Sequence, residues 1–543
     1  MNVTTFFNHW GIAENPFRAE EARHDAVFAR LRHGPSAHPD FEKISGEFDQ
    51  PATSIVFGEK GSGKTAIRLR IERDLDAFNE GKQNERCFFI AYDDLNPVLD
   101  RFHRSVRGGD PSQSLPQFRL VDHMDAILHL GVSTLVDGLR SDAPESIDLG
   151  PSPARTVRKG PPEFRRDLLL LQACYDRAET AHQWTGRLAR LARRKRFFGP
   201  RFFQVSSIVL VVAAVVLAIY WSIVKQGGAE PAGPVWPWLA GGIVAGLLGV
   251  GAMVKWLRSW WRVRHLAGQL GAQIRISDRE GDSYYRSLVT LRPTDLLGVS
   301  LPTSDSDDVR YEMLARLKRV LRTFGYSSLL IIIDRVDEPT LVNGDVQRMK
   351  ALIWPLMNSK FLQQDRLGLK LLLPLELRHE LFRESNGFFQ VARLDKQNLV
   401  ERLTWSGATL YDLCNARLRA CLRPEQVESE ATPAASTGSE VESESDAVAP
   451  IPAPAPAPAP VEASLSLSEL FAEDVSRQDV VDALDQMHQP RDAFKLLYQC
   501  IHDHCSNVTE EDAAWRIPRL ILDHVRTQQA GRVQELQQGL RPA

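Results

Sequence analysis

Residues 202–224 (FFQVSSIVLVVAAVVLAIYWSIV) carry no charged side chain, and neither do residues 235–254 (VWPWLAGGIVAGLLGVGAMV). Each run is long enough to cross a ~30 Å hydrocarbon core as a helix rising ~1.5 Å per residue, and core helices of soluble proteins seldom stay uncharged all round for so long. Trp221, Trp236, Trp238 and Trp256 flank the runs as interfacial aromatic residues do. Arg187, Arg190, Arg193, Arg194, Lys195, Arg196 and Arg201 precede the first run, and Lys255, Arg258, Arg262 and Arg264 follow the second. The connection KQGGAEPAGP holds one Lys and one Glu. Basic residues on the outer flanks predict a two-span hairpin in the inner membrane, with both termini and both large flanking parts cytoplasmic. Arginines set against a span read as lipid-headgroup contacts, so the lipid bilayer is a partner and nucleic acid is not indicated. In the second run Gly242, Ala245, Gly246 and Gly249 give small-xxx-small spacing, which permits close helix approach within the hairpin or between protomers.

The rest of the 543-residue chain is of globular composition, 43% hydrophobic and 25% charged, which suggests roughly two to four domains. The opening MNVTTFFNHWGIAENPF lacks the basic and apolar regions of a signal peptide. Six cysteines without regular spacing read as reduced thiols. Cys500, His502, His504 and Cys505 lie close in sequence, but on one helix their directions diverge, which suits structural roles better than zinc. The net charge of −3 conceals a mildly basic body, because residues 424–462 hold eight acidic side chains and no basic one. Residues 424–463, with their Pro-Ala repeats, read as a disordered, semi-rigid acidic linker ahead of a helical C-terminal domain at 464–543.

The strongest chemical signal is Gly58-Glu59-Lys60-Gly61-Ser62-Gly63-Lys64-Thr65. Its glycines, Gly58, Gly61 and Gly63, allow a tight loop whose backbone N–H groups, with that of Ser62, wrap a phosphate. Lys64 reaches the β- and γ-phosphates and the Thr65 hydroxyl ligates Mg²⁺. The apolar run Thr53–Phe57 before it reads as a buried strand, and Lys64 onward has helical periodicity, so the helix N-terminus also faces the phosphates. Further strands are expected at 87–92, Leu329–Ile333 and 367–373, with amphipathic helices at 117–140 and 309–324. Residues 142–162 read as a loop, 163–197 as one long helix, and 255–272 as a basic helix leaving the second span.

Leu329–Ile333 runs directly into Asp334-Arg335-Val336-Asp337-Glu338. A carboxylate at the end of so apolar a strand is costly to bury unless paired or near a metal, which makes Asp334 the candidate magnesium aspartate. Asp337 or Glu338 is then the candidate for polarising the attacking water. Two or three βαβ units are expected between the motifs. The nucleotide-binding part thus falls at 51–141 and 309–423, after an N-terminal segment at 1–50. Residues 142–201, the hairpin and 255–308 are inserted between its halves. The expected fold is an α/β parallel sheet of the P-loop NTPase kind with ATP and Mg²⁺ as cofactors.

GEKGSGKT, the internal hairpin and IIIDRVDEP together resemble the KAP-type P-loop NTPases of the STAND/AAA+ group, over roughly residues 50–420. Arg335 stands where that family's second motif usually has another acid. Trp10-Gly11-Ile12 through Glu14-Asn15-Pro16-Phe17 is similar to the opening of secretion-type AAA+ ATPases, a segment that lies near the adenine. The resemblance implies a γ-phosphate-sensing role for Arg378, a lid role for Arg491 in the helical C-terminal domain, self-association, and, in some bacterial relatives, phage defence. The reading that follows is a membrane-anchored cytoplasmic ATPase acting as a signalling or defence switch. A nucleotide-gated scaffold with little hydrolysis, favoured by Arg335, and an oligomeric pore-forming effector are the alternatives.

Overall fold

The computed structural model describes residues 1–18, 21–31, 38–106, 109–140, 147–179, 181–194, 200–226, 236–296, 298–423, 465–509 and 514–537. The expected linker at 424–463 lies outside the described residues, as does most of the connection between the two apolar runs. The described chain divides into two compact units, and each is described by itself. A sheet unit comprises Lys43–Phe57 and Ile71–Glu401, and a helical unit comprises Met1–Glu42, Gly58–Arg70 and Arg402–Ala543.

The sheet unit is built on five parallel strands: β1 (Ser54–Gly58, which passes into the helical unit at its last residue), β2 (Arg86–Tyr92), β3 (Tyr326–Ile333), β4 (Leu367–Pro374) and β5 (Asn398–Val400). Their order is β2-β3-β4-β1-β5. All of β1 and β4 and nearly all of β3 are buried, as near-continuous Ile/Leu/Val runs must be in a sheet covered on both faces. The connection from β1 leads across the sheet to β2, whereas those from β2, β3 and β4 all lead the other way. That reversal makes the C-terminal ends of β1 and its neighbours a topological switch point, where parallel sheets leave a crevice. Among the described residues β2 is the one strand between β1 and β3 in the chain, fewer than the two or three βαβ units expected, because most of the intervening residues are helical.

Helix α1 (Lys64–Asn79) follows the loop after β1. Helices α2 (Leu120–Gly138), α3 (Pro162–Tyr175) and α4 (Ala181–Leu191) follow β2. The single helix expected at 163–197 is thus two. The chain leaves helical geometry at Asp176, and the Gln172 amide bridges the Asp176 carboxylate and the Ala181 carbonyl, both at 2.8 Å. Within the expected loop at 142–162, Pro153–Lys159 is helical.

Helices α5 (Pro200–Gln226) and α6 (Trp236–Gln273) carry the two apolar runs, and both are long and apolar enough to cross a membrane. They are not core helices of this chain, since only 6% of each apolar window is buried. Val205, Val209, Val212 and Val216 on α5 and Val244, Leu247 and Leu248 on α6 stand exposed. A Cβ added at Gly242, Gly246 or Gly249 would lie 3.6 Å from Leu217, 3.5 Å from Ala214 or 3.1 Å from Leu210. The small residues therefore serve close packing inside the hairpin.

The second run and the basic segment after it form one unbroken helix, not the two expected. At ~1.5 Å per residue α6 is about 57 Å long, far more than a bilayer core requires. Its far end is buried through Val263, Ala267 and Leu270, and Arg275 just beyond it pairs with buried Asp122 of α2. Helix α7 (Asp307–Thr323) then leads into β3, and its Arg310 forms a buried pair with Asp125 of α2, 3.1 Å apart.

The helical unit packs α9 (Gly407–Ala420), α10 (Arg477–Asp485), α11 (Pro490–Asn507) and α12 (Arg519–Gln537) with the N-terminal residues around a core that includes Phe6, Phe17, Trp405, Leu410, Leu484 and Leu497.

Candidate functional site

In the helical unit, residues 58–65 form a loop that ends in the first turn of α1. Gly61 and Gly63 both have φ +96°, a region that residues with a Cβ rarely enter. A Cβ on Gly58 would stand 2.4 Å from Ser62 Oγ, so this third glycine serves close approach. Ser62 is fully buried and its Oγ makes no hydrogen bond. Lys64 folds back over the loop and donates from Nζ to the carbonyls of Gly58 (2.7 Å) and Glu59 (3.0 Å). Thr65 is half-buried in the first turn of α1. A cation beside a helix start, bordered by glycines that let the backbone approach, suits an anionic ligand of the phosphate kind.

Several side chains brace the loop from far along the sequence. The Trp405 indole N–H donates to the Ser62 carbonyl at 2.9 Å in a buried contact. His38 stands edge-on to Trp405, their ring centroids 5.0 Å apart, and its Nε2 lies 2.8 Å from the Thr404 carbonyl. Burial pushes the His38 imidazole below its ordinary value, against the opposing effects of the Thr404 carbonyl and Asp40. The Asp40 N–H donates to His38 Nδ1, so the neutral ring with its proton on Nε2 satisfies both partners. Glu59 is a carboxylate inside a loop suited to anions, and its charge is answered by Arg402 at 2.6 Å and by the Gln489 amide.

Arg491 opens α11 beside the loop, where a Cβ on Gly61 would come within 3.1 Å of both its Cβ and its Cδ. The helical unit thus brings together Gly58, Gly61, Ser62, Gly63, Lys64, Thr65 and Arg491. Sequence reasoning missed Trp405, Gln489, Arg402 and His38. A separation of 343 residues between Trp405 and Ser62 leaves no local pattern to find. The segment from Trp10 to Phe17 packs on the region of α9. The Ala13 N–H donates to the Cys421 carbonyl beyond α9, and Arg417 of α9 donates to the Pro16 carbonyl. His504 of α11 lies 2.7 Å from the Ala514 carbonyl.

In the sheet unit, Asp334 follows the last residue of β3 and is 1% exposed. Its Oδ1 accepts the N–H of Arg335 at 2.9 Å. Arg335 takes a left-handed conformation, φ +61°, so the chain swings off the strand axis immediately after Asp334. Its guanidinium pairs with Glu338, which occupies that carboxylate with a structural partner. Asp337 is half-buried, and its carbonyl accepts the Gly344 N–H at 2.9 Å. Arg378 lies on helix α8 (Leu375–Phe382) directly after β4 and pairs with Glu401 at 2.7 Å, its guanidinium carbon 4.9 Å from the Phe382 ring centroid. Asp334, Asp337 and Glu338 therefore share one strand end, while Arg378 is engaged with a carboxylate and an aromatic ring.

No protein-family model matches this chain, and comparison with curated proteins and with solved structures likewise yields no match.

Proposed function

We propose that this chain is a membrane-anchored ATPase, with Gly58–Thr65 as its phosphate-binding loop and the α5–α6 hairpin as its anchor. The observation that carries this reading is the backbone of the loop. Two glycines at φ +96° follow a fully buried strand and open a helix whose first residue is a lysine lying over the loop. Carbonyls are the partners Lys64 gives up when phosphate oxygens arrive, and a charge-assisted contact to phosphate is the stronger of the two. Support also comes from the sheet, whose switch point lies at β1, because parallel sheets bind ligands at such points.

In this reading Thr65 of the loop would serve as a ligand to Mg²⁺, an ion that would draw charge from the phosphates, and Asp334 is the acid that the sequence offers for the same ion. Arg491 screens the γ-phosphate and reports its presence to α11, so that hydrolysis releases the helical unit from its ATP-ordered state. The exposed apolar faces of the hairpin lie in lipid, with the cytoplasmic flanks set by the Arg187–Arg196 and Lys255–Arg264 clusters.

The test is nucleotide binding and phosphate release by the full chain in detergent or nanodiscs. Wild type is expected to bind ATP and release phosphate in a Mg²⁺-dependent manner. Lys64→Ala is expected to lose binding, and Asp334→Asn to lose the Mg²⁺ dependence. ATP affinity unchanged in Lys64→Ala overturns the proposal.

A further inference from the structure

A carboxylate inside a loop that receives phosphates opposes its own ligand, so its presence calls for a reason. Glu59 is that carboxylate, and two distant segments of the helical unit close on it. Arg402 approaches one oxygen at 2.6 Å, and the Gln489 side-chain amide donates to the other. The Glu59 side chain is 25% exposed and that of Arg402 46%, and an ion pair so open to water adds little to stability. Fold stability alone does not account for Glu59.

Gln489 links that carboxylate to the glycines. It is buried; its Nε2 donates to Glu59, and its Oε1 would lie 3.1 Å from a Cβ on Gly61. Arg491 follows two residues later, with its Cβ and Cδ at the same 3.1 Å from that point. The chain on both sides of Gln489 is fixed. His488 takes φ +58°, and its carbonyl accepts the Trp405 N–H at 3.1 Å. Pro490 is buried, its Cγ would lie 3.9 Å from a Cβ on Gly63, and its ring holds the backbone as α11 begins. Gln489 and Pro490 are buried while Arg491 is exposed, so the backbone is held and the guanidinium stays accessible to a ligand on the loop.

We infer that Glu59 is a positioning residue: through Gln489 its carboxylate holds Arg491 against Gly61, and so sets the preference of the loop for a nucleoside triphosphate over the diphosphate. This rests on the nucleotide reading above. The loop N–H groups and Lys64 serve phosphates that ATP and ADP share. The additional charge of the γ-phosphate calls for an additional cation, and Arg491 is the one held against the loop. An arginine released from Gln489 must be ordered at the moment of binding, which weakens ATP more than ADP. The negative charge of Glu59 acts on both nucleotides, whereas its hold on Gln489 acts through the triphosphate, so the two effects are separable.

The experiment titrates the full chain in nanodiscs with ADP and with a non-hydrolysable ATP analogue, each with Mg²⁺, and reads the ratio of the two dissociation constants. Wild type is expected to prefer the ATP analogue by ~10-fold or more, the scale of one hydrogen bond to a charged group. Glu59→Ala is expected to reduce the preference to within ~3-fold of unity while ADP affinity is kept or improved, which also reports an intact loop. Gln489→Leu cannot donate and is expected to do the same, and the double variant to lose no more than either single one, as members of one chain of contacts do. Glu59→Gln keeps an acceptor for Gln489 and is expected to restore the preference, a rescue that a purely electrostatic role of Glu59 does not produce. A wild-type ratio in Glu59→Ala, or equal loss of both nucleotides, overturns the assignment. So does a wild type without preference, which leaves nucleotide binding standing. Undiminished ATP affinity in Lys64→Ala instead removes the underlying reading.

Discussion

The two ends of β1 are each associated with a lysine that donates to backbone carbonyls, and only one of them reads as functional. Beyond the C-terminal end, Lys64 is half-buried on a glycine loop and donates to Gly58 and Glu59. At the N-terminal end, Lys370 of β4 is fully buried and donates to the Ala52 carbonyl at 2.8 Å and the Ser54 hydroxyl at 3.2 Å. Burial lowers the Lys370 ammonium to about 7, against the opposing effect of Cys87. Hydrogen-bond partners alone do not separate the two residues. The surroundings do: one lysine is half-buried beside a loop whose two glycines have φ +96°, the other is fully buried within a strand.

Replacing each lysine by methionine is the sharpest way to break this comparison. Lys64→Met is expected to weaken ATP binding on the order of 100-fold, the loss of a charge-assisted contact of ~3 kcal/mol, with the thermal midpoint of the ligand-free protein little changed. Equal ATP titration curves for Lys64→Met and Lys370→Met would erase the distinction.

The next effect concerns pH. The folded-state ammonium of Lys370 is depressed, so between pH 7 and 10 the unfolded chain holds a proton that the folded chain has released. Stability contributed at this position therefore rises with pH across that window, by about 1 kcal/mol per pH unit, and is least at pH 7 and below. Thermal unfolding at several pH values is expected to show that slope in wild type and to lack it in Lys370→Met.

Gly61→Ala tests whether the loop conformation that glycine permits matters. The substitution puts a Cβ at φ +96° and within 3.1 Å of Arg491. A loss of about 1–3 kcal/mol is expected, with weaker ATP binding. An alanine variant with wild-type stability and affinity would show that the loop does not need its glycine.

Glu338→Gln is the smallest expected change. Its partner Arg335 holds it in an exposed pair, and such pairs contribute about 0–1 kcal/mol, so turnover and stability are expected to stay near wild type. A large loss of phosphate release would instead assign Glu338 to the attacking water.

The sequence disclosed much of the framework because its signals were local. Leu329–Ile333 and 367–373 are too apolar for anything but buried strands, and they mark the cores of β3 and β4. Strand β5, with the three residues Asn398–Val400, is too short to carry a period of its own and exists through its register with β1. The break near Asp176 was hidden for a related reason, since a Gln172 bridge is a contact and not a composition. In the second apolar run the loss of hydropathy after residue 254 suggested a boundary, yet residues 255–273 contain no proline to stop the helix and the backbone continues unbroken to Gln273.

From residue order alone came the two uncharged runs, the glycine-lysine loop and an acid at the end of an apolar strand, each held within a short window. Tertiary structure alone decided that the hairpin glycines pack inward on α5 and that Trp405 and Gln489 brace a loop hundreds of residues away. The reason is physical: helical period, strand apolarity and loop glycines are properties of neighbouring residues. Strand register, burial and ion pairing are instead set by which distant segments the core brings into contact.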